Sequence, residues 1–211
     1  MDNSPRTSRR LFALFIAVWC GTIFVGVSTF PHNEVPIYND PLILYTADAA
    51  VLFWCLSSVL MLCLEPPAWF EAGQRRDFVR WIWGLGWLVF LTHVVAAFHL
   101  GHHWSHTHAY RRTEQIAGFG EGIFVNYLFG LIWTADAIWF GFWPEYYVRR
   151  SRWIGWTIHG FLAIIVLNAS VIFGSWFIQV PAGGLFAILA VLTVRRVVLS
   201  FWTKRSSRPR A

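Results

Sequence analysis

The sequence predicts an all-α integral membrane protein with six transmembrane helices, both termini on the cytoplasmic side, and a short interfacial helix between spans three and four. Three observations predict it. Of 211 residues, 56% are hydrophobic and only 13% are charged, about half the charge a soluble domain carries. Six apolar segments match the roughly 20 helical residues that cross a bilayer. Fifteen of the seventeen basic residues fall on one side of a six-span arrangement, and cytoplasmic loops are where Arg and Lys are retained.

A basic segment, residues 1–10, precedes the first span, which runs from Leu11 to Phe30. Within it, Ser8-Arg9-Arg10-Leu11-Phe12 resembles part of a twin-arginine export signal. The long apolar run, the five spans that follow and the lack of an A-x-A-like site favour a positive-inside anchor instead. The second span covers about Leu42 to Leu64, the third Trp81 to about Gly101, the fourth about Gly122 to Trp143 and the fifth Trp153 to about Gly174. The sixth covers about residues 180–202, with its start open between Trp176 and Gly184 because Pro181, Gly183 and Gly184 suit either a turn or a kink. A basic tail, residues 204–211, closes the chain. The outer loops are then Pro31–Pro41, His102–Glu121 and a tight turn before span six. Only Arg111 and Arg112 fall on the outer side, and five- or seven-span arrangements scatter the basic residues over both faces. The expected location is the cell membrane, the inner membrane in a bacterium.

The net charge of +6 does not indicate a nucleic-acid partner, because the basic residues flank apolar runs and form no separate patch. The partner this composition implies is the lipid bilayer, with other membrane subunits as a further candidate. Fourteen tryptophans suit the membrane–water boundary, where an apolar ring and a polar N–H are both accommodated. Cys20, Cys55 and Cys63 lie within apolar segments, where thiols act as small hydrophobes and build no disulfide framework.

Ionisable side chains inside a span are costly unless partnered, so each is a functional candidate. At about 1.5 Å per helical residue, Asp48 lies roughly 9 Å and His93 roughly 12 Å below the outer surface. Asp136 and His159 lie roughly 10 Å and 9 Å from the inner surface. These depths predict two carboxylate–imidazole pairs, Asp48 with His93 and Asp136 with His159, serving as a proton relay or as interhelical locks. Asn126, roughly 6 Å deep in span four, either completes a polar outer cavity or satisfies a kinked backbone. A haem bridging His93 and His159 is disfavoured by their different depths.

Five of the eight histidines fall within ten residues: His99, His102, His103, His106 and His108. Imidazole is the commonest transition-metal side-chain ligand. If span three continues as a helix, His99, His103, His106, Tyr110 and Glu114 share one stripe, with His102 at its border and His108 pointing away. Glu121 is within reach of the same place. Such a set suits zinc, copper or iron. The metal-ligand candidates are therefore His99, His102, His103, His106 and Glu114; hydrogen-bonded interfacial histidine is the alternative, and Gly101 is a point where the helix can break. The string His99-x-x-His102-His103 resembles one histidine box of the membrane desaturases and hydroxylases. That resemblance covers five residues, and the box lies on the face opposite the one those families use, so their activity is not carried over.

Three functional classes follow: a metal-binding membrane protein with its site at the non-cytoplasmic face, an interaction subunit of a larger membrane complex, and a small transporter using the Asp–His levels as a polar path. The chain has no phosphate loop and no HExxH sequence, and no residue is assigned a catalytic role.

Overall fold

A computed structural model of the chain describes residues 5–29, 40–64, 69–70, 73–172, 174 and 176–206, and no strand occurs among them. In chain order the helices are α1 (Pro5–Thr29), α2 (Pro41–Cys63), α3 (Gln74–Ala96, prolonged by a π-helical turn Ala97–Gly101), α4 (His106–Ala117), α5 (Gly122–Phe142), α6 (Pro144–Arg149), α7 (Arg152–Leu167, prolonged by a π-helical turn Asn168–Ile172) and α8 (Trp176–Ser206). Among the described residues, α1, α2, α3, α5, α7 and α8 are long and apolar enough to cross a membrane. The short helix expected between spans three and four is α4. Most of the loop 31–41 and the last five residues of the basic tail lie outside the described residues.

Local chemistry explains several boundaries. Asp40 caps α2, its carboxylate accepting from the Leu42 and Ile43 amides at 2.8 and 3.4 Å, with Pro41 in the first helical turn. At the far end of α2, the Arg196 guanidinium of α8 donates to the Met61 and Leu64 carbonyls at 3.2 and 3.3 Å. These are carbonyls that a helix terminus leaves unpaired. Helix α3 begins seven residues before Trp81, so Arg75, Arg76 and Arg80 lie on its first turns and not in a loop. Helix α8 settles the open start of span six: it runs continuously through Pro181.

The bundle is built around α2, which packs on α3 and α8; α3 in turn packs on α1 and α5, and α5 on α7. Close approach is allowed where a side chain is missing. A Cβ on Gly86 of α3 would meet Phe53 Cβ at 3.2 Å and the Trp133 ring at 3.3 Å. The main core holds Trp54, Trp83, Trp133, Phe140, Tyr147 and Leu162, with Trp83 against Trp133 at 5.5 Å and Trp133 stacked on Phe90 at 5.2 Å between centroids. Only part of the tryptophan complement therefore lies where the sequence places it. Trp104, Trp143, Trp153 and Trp156 are exposed near helix ends, whereas Trp54, Trp83 and Trp133 are buried. Packing, not transfer from water, holds helices together in lipid, and large flat rings make many dispersion contacts per residue.

Candidate functional site

The histidine-rich segment does not form the predicted stripe. The α-helical ladder of α3 gives way to the π-helical turn, with the His102 amide donating to the Ala97 carbonyl at 2.9 Å. The chain then turns back, with His103 and Trp104 at φ 49° and 59°. That is the left-handed region, in which each non-glycine residue costs about 1–2 kcal/mol. Ser105 caps the new helix α4, its hydroxyl accepting from the His108 amide at 3.3 Å. The reversal breaks the i, i+4 relation between His99 and His103 and separates both from His106 and Glu114.

Three smaller arrangements replace the stripe. His99 is exposed and accepts from Trp104 Nε1 at 3.3 Å. His106 Nδ1 meets the Tyr127 hydroxyl at 2.9 Å, beside Phe124. His102, His103 and His108 group together, with ring centroids 5.8 Å apart for His102–His108 and 6.4 Å for His103–His108. His108, expected to point away, is thus part of the densest group. Among the described residues no three His, Cys, Asp or Glu side chains are arranged to hold a metal ion, so the predicted ligand set of His99, His102, His103, His106 and Glu114 is not assembled. Burial holds the His102 imidazole below its ordinary pKa, and His108, Arg112 and His103 add to this by like-charge repulsion. Glu121 reaches Tyr110, whose hydroxyl donates to it at 2.9 Å. This bond lowers the Glu121 pKa after the contribution of its own backbone amide, and it is the first cause raising that of Tyr110. Gly120 is needed here, because a Cβ would overlap the Tyr110 ring.

The left-handed pair yields a matched prediction. His103→Gly is expected to be about 1–2 kcal/mol more stable than His103→Ala, since both lose the ring and only glycine relieves the backbone. Thermal unfolding of the two purified variants in one detergent checks it; equal midpoints would mean that the backbone is not strained at this position.

The predicted Asp48–His93 pair is not formed. His93 Nδ1 donates to the Ile43 carbonyl at 3.2 Å and lies 3.3 Å from Thr46 Oγ1, a lock between α3 and α2. Asp48, two residues beyond Thr46, lies about 200° further around the helix. It lines a groove of about 530 Å³ with Thr22, Tyr45, Leu52, Leu56 and Phe177. Among the described residues it has no hydrogen bond or ion pair. Leu44, Leu52 and Leu56 are exposed along the same groove, so it opens sideways. Asn126 is exposed on α5 and does not join Asp48, His93 and His99 in a cavity.

Asp136 and His159 do share a site, but through two residues the sequence did not single out. Tyr147 donates to Asp136 Oδ2 at 2.9 Å and lies 3.3 Å from His159 Nε2. Arg150 donates to Asp136 Oδ1 at 3.2 Å and to His159 Nε2 at 3.0 Å. A guanidinium can only donate, so His159 Nε2 accepts and the ring is neutral with its proton on Nδ1. The guanidinium also lies 3.6 Å above the Tyr147 ring, which stacks on Phe140 at 4.2 Å. Burial first, then the Asp136 charge, pushes the Tyr147 phenol well above its ordinary pKa. The cluster is a charge-balanced lock that ties α6 and the start of α7 into the bundle. The Asp48 groove shares no lining residue with this cluster.

No protein-family model, curated protein or solved structure matches this chain.

Proposed function

We propose that the protein is an interaction subunit of a larger membrane complex, and that the Asp48 groove receives a transmembrane helix of another subunit bearing a basic side chain. The carrying observation is a carboxylate within a span that makes no hydrogen bond or ion pair among the described residues, in a laterally open groove lined mostly by apolar side chains. Groove positions on α2 recur from Pro41 through Leu44, Tyr45, Asp48, Leu52 and Phe53 to Leu56. They span roughly 22 Å, most of a hydrocarbon core about 30 Å thick. A slot of that length suits a helix or an acyl chain, and only a helix brings a cation to the depth of Asp48. Both termini are assigned to the cytoplasm on the fifteen basic residues gathered at their side, which sets the histidine segment at the outer face.

A photo-crosslinking side chain at Leu52, compared with one at lipid-exposed Ile164, tests the reading in native membranes. The expected result is one adduct of discrete mass from Leu52, lost in Asp48→Leu and retained in Asp48→Glu. Lipid adducts alone, or the same adducts from both positions, would overturn it.

A further inference from the structure

We infer that Arg152 at the start of α7 and Arg196 near the end of α8 form a site for the phosphate of an acidic phospholipid, in the leaflet on the side of the termini. Helix geometry brings the two together. Arg152 stands one heptad before His159 and two before Val166, so the three lie within about 40° of one another around α7. His159 packs on Trp83, and Val166 belongs to the main core. Arg196 stands one heptad after Leu189, which belongs to the same core. Both guanidiniums are thus carried on inward stripes, at the helix ends where the core stops. Helix α8 meets α7 mainly at the π-helical turn Asn168–Ile172. The two helices draw apart toward the opposite end, where the two arginines flank the opening.

Neither guanidinium meets a carboxylate among the described residues. Arg196 donates to the Met61 and Leu64 carbonyls, which carry no net charge. Arg152 makes no ion pair, and its charge and that of Arg196 act on each other. The described carboxylates at this end are each bound to another arginine: Asp77 to Arg80, Glu145 to Arg76 and Asp136 to Arg150. Glu65, next in sequence to Leu64, lies outside the described residues.

Two neighbouring cations without a counter-charge favour an anion between them, and their paired N–H donors match phosphate oxygens. The surroundings select a lipid over a soluble ester. Trp153 beside Arg152 is 80% exposed, and Trp156, one turn further along α7, is also exposed. Such rings suit the headgroup boundary, and basic pockets between transmembrane helices are where acidic headgroups bind. The site shares no residue with the Asp48 groove and does not depend on it.

Full-length protein is released from nanodiscs of phosphatidylcholine with and without phosphatidylglycerol, and retained lipid is read by native mass spectrometry. The wild type is expected to retain phosphatidylglycerol in preference to phosphatidylcholine. Retention falls about fivefold in Arg152→Gln and further in Arg152→Glu, with Arg152→Lys between Arg152→Gln and the wild type. Arg152 is exposed, so its variants carry the test even if those of Arg196, which also caps α2, fail to fold. Arg10→Gln, at the same end of the bundle on α1, leaves retention unchanged, as does Glu65→Gln. No preference for phosphatidylglycerol, or an equal loss in Arg10→Gln, overturns the inference. A several-fold rise in Glu65→Gln also overturns it, by showing that Glu65 fills the site in the wild type. So does Arg152-dependent line broadening of inorganic phosphate in phosphorus NMR without lipid retention, which would assign the site to a soluble anion.

Discussion

Asp136→Ala is expected to destabilise the bundle by about 3–5 kcal/mol, the cost of stranding one half of a buried ion pair. The carboxylate is fully buried and the Arg150 side chain is only 10% exposed, so solvent screens little of the loss. Three donors and acceptors change state together. Arg150 loses its counter-charge, Tyr147 loses the acceptor for its hydroxyl proton, and His159 becomes the remaining acceptor for both. Asp136→Asn keeps an acceptor for Tyr147 without the charge, so an intermediate loss is expected. Removing both charges, in Asp136→Ala with Arg150→Met, should recover most of the stability, because a neutral pair strands nothing. Thermal unfolding in detergent, analysed as a double-mutant cycle, reads the coupling. If the double variant is as unstable as the two single losses added together, the pair is not the lock inferred here.

The next largest effect is expected at Trp83. Trp83→Ala should cost about 3–5 kcal/mol, the range for emptying a large aromatic site. The indole is fully buried and lies against Trp133 at 5.5 Å and the His159 ring at 5.2 Å. Its removal opens a void between the aromatic core and the polar cluster. The cost comes from lost contacts and the cavity, since lipid offers a displaced apolar residue a good alternative environment. Trp83→Phe should cost much less, because the indole N–H has no hydrogen-bond partner to lose. Comparable losses for phenylalanine and alanine would show that something other than volume is required at this position.

The six spans were legible because apolar length and basic flanks are properties of consecutive residues, and six helices cover them, α3 starting seven residues earlier than expected at Gln74. The polar chemistry was legible only in part, because it depends on what the chain does between spans. Asp136 and His159 were found as isolated charges in apolar segments. Tyr147 and Arg150 were hidden because they sit in a short connection read as a cytoplasmic loop, where aromatic and basic residues are ordinary. Helix α6 carries that connection back into the bundle. The histidines misled for the converse reason. Their i, i+4 spacing is meaningful only on a continuous helix, and the turn after Gly101, through two left-handed residues, ends that continuity. Asp48 was expected to face His93 but lies on another side of α2, since position along a helix says nothing of the direction around it.

The contact of Arg196 with the end of α2 bears on the order in which the protein is made. Its two acceptor carbonyls belong to the second span, and its donor belongs to the last. Trp54 of the second span likewise stacks on Phe186 of the last, at 5.8 Å. A nascent chain with five spans inserted therefore still lacks the cap on α2 and the cover over Trp54. Closure of this part of the bundle therefore waits for a helix made 135 residues after the carbonyl it caps, which couples the completion of α2 to the late insertion of α8.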